Sequence, residues 1–123
     1  MKGAVSPVPG VWTTLPGECG ANAFLPFEVR VSSPPGTTFR ARRVHINTAP
    51  GDLCWVSGSN EMVHDPPIPC QGADRPIARF VLRVSSMATL KACEVTARVA
   101  FAEGEELSIV HRLQVREMRG CCG

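Results

Sequence analysis

The stretch that decides the fold is ACEVTARVAFAEGEELSIVHRLQVRE, residues 92–117. It contains two runs of strict two-residue alternation joined by a short acidic segment. Alternation with a period of two predicts a β-strand with one buried face. The odd-numbered positions form the predicted buried faces, with Cys93, Val95, Ala97, Val99 and Phe101 in the first run and Leu107, Ile109, His111, Leu113 and Val115 in the second.

The two runs form a predicted antiparallel hairpin. Gly104 lies between them and tolerates the positive φ angle that a tight turn requires. Cross-strand partners share a face, so the numbers of paired residues must add to an even total. This rule predicts that Phe101 faces Leu107 or Ile109. The hairpin therefore has one apolar face and one arginine-rich face. His111 lies on the apolar face and is expected to be a core or half-buried residue that is hydrogen-bonded to a neighbour, rather than a ligand.

Length and composition indicate one globular domain. The chain has 123 residues, of which 44% are hydrophobic, enough for a core without a stabilising metal. We interpret residues 1–123 as a single domain of a larger protein or complex, with residues 1–23 and 118–123 peripheral. No run approaches the roughly 18 apolar residues of a transmembrane segment.

The N-terminal sequence bears on the location of the protein. The first ten residues, MKGAVSPVPG, lack the apolar core of a secretory signal peptide. The expected location is therefore the cytoplasm. The alternative is an extracellular domain that is processed from a longer precursor.

Six cysteines stand at positions 19, 54, 70, 93, 121 and 122. No C-x-x-C pair occurs, and the spacings match no zinc module. In an intracellular protein these thiols stay reduced, and Cys54 and Cys93 then pack as small hydrophobic residues within predicted strands. A secreted domain pairs them instead, in a connectivity that spacing does not reveal.

Five further stretches show strand patterns, at residues 8–14, 24–33, 39–48, 53–57 and 77–86. In the second of these, Glu28 and Arg30 are expected to face outwards. The apolar positions change parity within the third, which predicts a β-bulge near Arg42 and Arg43. The predicted core includes Trp55, Val99, Phe101, Ile109 and Leu113.

About seven short strands without a helix predict an all-β, antiparallel two-sheet sandwich. The order of short strands, a long variable loop, the segment IARFVLRVSS and a final long hairpin resembles an immunoglobulin-like β-sandwich. It is similar to the intracellular type found in coat-adaptor appendages and vesicle-tethering subunits. The resemblance implies a subunit domain of a trafficking complex. The chain departs from the antibody pattern, because Trp55 adjoins Cys54 and tyrosine is absent.

The longest segment without a strand pattern is GSNEMVHDPPIPCQGADRP, residues 58–76. Connections in compact domains usually run about 4–6 residues, so a longer one is expected to bind a partner. The alternative is a segment that folds back and covers a sheet edge. The candidate binding residues, which combine apolar contacts with charges of both signs, are Glu61, Met62, Val63, His64, Asp65, Ile68 and Arg75.

A second candidate surface is the arginine cluster Arg40, Arg42 and Arg43. Arginine can bind carboxylates and phosphates through two parallel hydrogen bonds. We interpret the cluster either as a solvated strand face or as a docking patch for an acidic peptide or an anionic membrane surface. Nucleic acid is not an expected partner, because the formal net charge is only +2 and no aromatic residues are interleaved with the arginines.

Catalytic and metal-binding interpretations have little support in the sequence. His64, Asp65 and Cys70 are the residue types of a thiol catalyst, and His45, Cys54, His64 and Cys70 are possible zinc ligands. Both sets draw on a proline-rich segment, so no catalytic residue, metal or cofactor is expected. The sequence favours a non-enzymatic interaction or assembly module. The alternative is a secreted or viral disulfide-bonded β-sandwich that binds a host protein.

Overall fold

The computed structural model describes residues 2–7, 23–34, 36–71, 75–85 and 92–114. The predicted strand at residues 8–14, Cys19, Cys121, Cys122 and the segment 118–123 lie outside them. The described residues contain no helix long and apolar enough to cross a membrane. They form eight strands, β1 (Lys2–Pro7), β2 (Ala23–Ser32), β3 (Thr38–Ala49), β4 (Cys54–Ser57), β5 (Glu61–Gln71), β6 (Arg75–Val84), β7 (Ala92–Phe101) and β8 (Glu106–Gln114).

The strands form two four-stranded antiparallel sheets. The first sheet has the order β1-β2-β6-β4, and the second has the order β5-β3-β7-β8. The prediction of an all-β, antiparallel two-sheet sandwich is confirmed. The described strands number eight, and two of them, β1 and β5, were not predicted, while the predicted strand at residues 8–14 lies outside the described residues.

One hydrophobic core contains residues from every strand between β2 and β8. Alternate residues of each strand enter it, because successive side chains point to opposite faces. In β7 the five predicted inward residues are at most 4% exposed, whereas Glu94 and Arg98 are exposed. In β8 Leu113 is buried and Ile109 is half-buried against the core. The predicted facing of the hairpin is therefore confirmed.

The register of the hairpin differs from the predicted one. Phe101 pairs at the turn, where its N–H donates to the Glu105 carbonyl oxygen at 2.9 Å, and Leu107 faces Val99 instead. Only four residues, 102–105, connect the two strands, and they include Gly104, whose φ is 96°. Such short loops with glycine in the left-handed region are common in hairpins. Because the turn is shorter than expected, the partner of each β7 residue lies at least two positions earlier in the chain than the sequence predicted.

The predicted bulge in β3 is confirmed. The register against both neighbouring strands shifts between Ala41 and Arg43, which leaves Arg42 as the extra residue. Ala41 is buried before the bulge and Val44 is buried after it. The extra residue thus reconciles odd and even inward positions within one strand.

The prediction of irregular structure throughout residues 58–76 is wrong. The edge strand β5 occupies most of this segment and pairs with β3. Pro66, Pro67 and Pro69 are compatible with it, because an edge strand leaves one side of its backbone unpaired. Cys70 is fully buried, so β5 covers part of the core.

The prediction that Trp55 anchors the core is also wrong. Cys54 occupies the inward position in β4 and is fully buried. Successive side chains of a strand point to opposite faces, so Trp55 faces outwards and is half-exposed. The guanidinium carbon of Arg83 lies 5.8 Å from the centroid of the Trp55 ring, a cation–π contact on the outer face.

Glu28 departs from its predicted exposure. It alternates with the inward residues of β2, as expected, yet its side chain is only 1% exposed. Arg30 Nε lies 2.6 Å from Glu28 Oε1, and Arg79 Nη2 lies 3.4 Å from Oε2. These two guanidinium groups offset the cost of burying the carboxylate.

A disulfide joins Cys54 in β4 to Cys93 in β7 and links the two sheets. Their Cα atoms are 6.6 Å apart, within the usual range for a disulfide. The expectation of reduced thiols at these two positions is therefore wrong. Both cysteines still lie in the core, as the strand pattern predicted.

His111 is half-buried, within the expected range, and a ring contact takes the place of the expected hydrogen bond among the described residues. Its ring meets the ring of Phe27 edge-on, with 5.7 Å between centroids. Burial lowers the pKa of His111 below its ordinary value, because the charged imidazolium loses its hydration.

Replacement of Leu113 by Ala should lower the free energy of unfolding by about 2–5 kcal/mol, because it removes a buried side chain and leaves a cavity. Urea unfolding followed by circular dichroism measures the loss. The exposed Val63 provides the control, and Val63→Thr should change the free energy of unfolding by no more than about 0.5 kcal/mol. Equal losses in the two variants would contradict the assigned burial.

Peptide mapping of the alkylated, non-reduced protein should find Cys54 linked to Cys93. The double variant Cys54→Ala, Cys93→Ala should lose about 2–4 kcal/mol of unfolding free energy, because the link closes a long loop in the unfolded chain. Cys70→Ala is the matched control and should retain the link. Alkylated thiols at both positions in the wild-type protein would rule the bridge out.

The stability of the domain should fall as the pH drops from about 7.5 to about 5. The pKa of His111 is lower in the folded chain than in the unfolded chain, so the unfolded chain binds more protons in this window. His111→Gln should make the decline shallower, and His45→Gln, which changes a histidine outside the core, is the control. Urea unfolding at a series of pH values is the measurement, and an unchanged slope in His111→Gln would contradict the assignment.

Candidate functional site

Two candidate surfaces that are separate in the sequence meet at one edge of the second sheet. The antiparallel pairing of β3 with β5 sets Arg40 opposite Pro69 and Arg43 opposite Val63. The arginine cluster and the predicted binding segment are therefore neighbours. Arg75 is not part of this grouping, because it begins β6 in the other sheet.

The arginine cluster and the binding segment meet where residues 64–67 of β5 leave the ladder with β3, a departure that we call the excursion. Ala41 pairs with Ile68 and Arg43 pairs with Val63, so residues 64–67 have no counterpart on β3 except the bulged Arg42. Bulges at sheet edges re-aim side chains and interrupt pairing. Here the one extra residue of β3, Arg42, faces four extra residues of β5, at positions 64–67.

The predicted binding residues divide between the two faces of β5. Met62 and Ile68 are partly buried and pack against the core, so they are structural. His64 is half-buried, and its Nε2 atom is shielded from solvent without a hydrogen-bond partner. Val63 and Asp65 are exposed, and the exposed fraction of Val63 is 58%.

The exposed members form a compact mixed patch, which we call the bulge surface: Arg42, Arg43, Glu61, Val63 and Asp65. Arg43 Nε lies 2.7 Å from Glu61 Oε1, so these two charges neutralise each other across the strands. Within the described part of the chain, neither Arg42 nor Asp65 forms an ion pair. The surface therefore offers one cation, one anion and an exposed apolar side chain.

Arg40 forms hydrogen bonds with Glu103 that the sequence did not reveal. Its backbone N–H donates to Glu103 Oε1 at 2.9 Å, and its Nε donates to Oε2 at 2.8 Å. These two hydrogen bonds hold the pKa of the Glu103 carboxyl below its ordinary value. Glu103 belongs to the acidic hairpin turn, which is visible in the sequence, but its contact depends on β3 lying next to β7.

The residues considered for thiol catalysis or zinc binding are placed differently. Cys54 is bonded to Cys93, which removes it as a metal ligand. Cys70 is buried, with Sγ 3.6 Å from the Ile68 carbonyl oxygen. His45 Nε2 lies 3.2 Å from Asn60 Nδ2 on the surface. No cluster of three potential metal-binding side chains occurs among the residues whose positions are described.

A shallow open groove of about 270 Å³ is lined by residues of β3, of β4 and of the connection from β4 to β5. Ligand pockets for small molecules are usually larger, about 300–1,000 Å³, and mostly apolar. Its lining, which is mainly polar, consists of Ile46, Asn47, Thr48, Val56, Gly58 and Asn60. The groove lacks the apolar enclosure of a small-molecule site.

Comparison with known proteins adds no relative to this description. No protein-family model matches the chain, and no curated protein is significantly similar to it.

Proposed function

We propose that this domain is a non-enzymatic protein–protein interaction module that binds its partner through the bulge surface. The observation that carries the proposal is the position of Val63. It is one of the most exposed large apolar side chains in the described chain, and it lies opposite Arg43 and beside the excursion that faces Arg42. Interaction sites commonly combine apolar groups at the centre with a polar rim, and Val63 with its charged neighbours in the bulge surface has this composition.

The chemistry of the surface indicates the kind of partner. Arg42 can bind a carboxylate, Asp65 can bind a basic group, and Val63 can enter a small apolar pocket. Addition of a partner strand along the whole edge is disfavoured, because Pro66, Pro67 and Pro69 lack backbone N–H groups. The proposed contact therefore uses side chains rather than strand addition.

The sheet orders support an immunoglobulin-like assignment. An immunoglobulin sandwich places strands A, B, E and D in one sheet and C, F and G in the other, to which variable domains add C′. Here β1-β2-β6-β4 and β5-β3-β7-β8 match these neighbours, but the strand in the D position precedes the one in the C′ position. We propose an immunoglobulin-like interaction domain on this basis. Membership of a trafficking complex is an extension by resemblance alone.

The disulfide favours the second candidate, an extracellular domain that binds a host or neighbouring protein. Structural disulfides form and persist in oxidising compartments and are rare in the cytosol. A bridge between the two sheets, from Cys54 to Cys93, fits that setting better than the cytoplasm. Peptide mapping of the protein from its natural source tests this choice, since two reduced thiols would favour the cytoplasm.

Substitution of Val63 by Asp should abolish partner capture and leave the fold intact, because the side chain faces solvent. Val81→Asp is a matched control, since Val81 is exposed by 39% on the other sheet. Quantitative mass spectrometry of proteins cross-linked to each variant is the measurement. A partner that binds through the bulge surface should disappear with Val63→Asp and remain with Val81→Asp.

A charge reversal provides an independent test. Arg42→Glu should weaken capture of the same partner, whereas Arg98→Glu, which changes another exposed arginine of this sheet, should have little effect. Circular dichroism confirms folding of each variant. Equal capture by all four variants would refute the proposed site. Replacement of the whole segment 61–71 is unsuitable, because it would remove the buried Cys70 and the pairing with β3.

A further inference from the structure

The four edge strands among the described residues differ in how well they resist pairing with another strand. β1 has six residues and ends in Pro7, and β4 has only four residues. β5 contains three prolines and the excursion. β8 has nine residues, no proline and no register shift against β7. An edge without such protection is a template for strand pairing.

The hydrogen-bond pattern shows which backbone groups of β8 are open. The Phe101 N–H bonds to Glu105, so the odd-numbered residues of the hairpin point their backbone groups at each other. The even-numbered residues of β8 therefore direct their N–H and C=O groups away from β7. Among the described strands β8 has no other neighbour in its sheet. The open groups belong to Glu106, Ser108, Val110 and Arg112.

The same four residues carry a self-complementary pattern. Their side chains are exposed on the outer face, with Glu106 at one end and Arg112 at the other. An antiparallel pair of identical strands centred on Ile109 sets each Glu106 opposite Arg112 of the second copy. It also sets Ser108 opposite Val110, which is 60% exposed in the single chain. Opposite charges directly across a strand pair stabilise it.

We propose that two copies of this domain associate through antiparallel pairing of β8 with β8, on a two-fold axis at Ile109. Such an interface is isologous, because the same residues meet from both sides. It satisfies the four open backbone positions on each copy and forms two Glu106–Arg112 ion pairs. The second sheet then continues from one molecule into the other.

The inner side of β8 is consistent with this arrangement. Leu107, Ile109 and His111 are half-buried, unlike the fully buried inner row of β7. A Cβ atom on Gly3 would lie 2.5 Å from Ile109 Cδ1, so the backbone of β1 closely backs this side chain. Ile109 therefore packs against β1 at the centre of the β8 edge. In the dimer, the part of its side chain that stays exposed in the single chain contacts Ile109 of the second copy.

The dimer leaves the bulge surface open. β5 and β8 are opposite edges of the second sheet, so a partner bound at β5 does not compete with the second copy at β8. The dimer therefore presents two bulge surfaces and does not depend on the proposed function. Two linked sites bind a multivalent partner more strongly than one site does.

Sedimentation velocity over a range of protein concentrations tests the proposal. The wild-type chain should show a reversible monomer–dimer equilibrium. Glu106→Arg and Arg112→Glu should each raise the dimer dissociation constant about tenfold or more, because each sets like charges opposite each other twice. An equimolar mixture of the two variants should restore association, since the arginine introduced in one chain then meets the glutamate introduced in the other. Only the register centred on Ile109 predicts this rescue.

Hydrogen exchange supplies a second readout. The amides of Ser108 and Val110 should exchange more slowly at high protein concentration, whereas Val63→Asp should not change association. A wild-type chain that stays monomeric, variants that mix without rescue, or dissociation by Val63→Asp would each overturn the proposal. So would a dimer that persists in denaturant and vanishes with reductant, because it would be a disulfide-linked species.

Discussion

The inward row of β7 is the packing surface on which the rest of the sandwich depends. This strand lies inside the second sheet, between β3 and β8, and its alternate residues from Cys93 to Phe101 are almost completely buried. Side chains of this row fill the space between the sheets, where apolar burial supplies most of the stability. Cys93 adds a covalent link to the opposite sheet through Cys54. The row therefore sets both the spacing of the sheets and their relative position.

The bulge in β3 follows from the need to fit a neighbouring strand to that row. Ala41 and Val44 both face the core, although their positions have opposite parity. One extra residue must leave the ladder between them, and Arg42 is that residue. The pairing of β3 with β5 is interrupted at the same place, where residues 64–67 of β5 leave the ladder. The exposure of Arg42 beside residues 64–67 of β5 is thus a by-product of core packing.

The two edges of the second sheet have contrasting chemistry. β5 carries prolines and an excursion, which prevent regular pairing and leave a surface defined by side chains. β8 is long and regular, and its exposed residues have opposite charges at the two ends. One edge is therefore irregular and rich in proline, and the other is regular and open to strand pairing.

The sequence by itself determined the features that depend on neighbouring residues. Alternation identified β7, β8 and their buried faces, and the change of parity located the bulge near Arg42 and Arg43, because side-chain direction follows from position along a strand. The glycine of the hairpin turn was also evident, although the turn length was not. Proline content concealed β5, since prolines exclude a central strand but are tolerated at an edge.

Tertiary structure alone decided which strands became neighbours. The proximity of Arg43 to Val63, the bond between Cys54 and Cys93 and the contact of Arg40 with Glu103 each join residues that are distant in the chain. The burial of Glu28 likewise depends on guanidinium groups from β2 and β6. Local pattern specifies which face of a strand is buried, but it contains no information on the order of strands in a sheet. That order is selected by the packing of all the strands at once, which is why the candidate site appeared as two separate segments until the sheets were assembled.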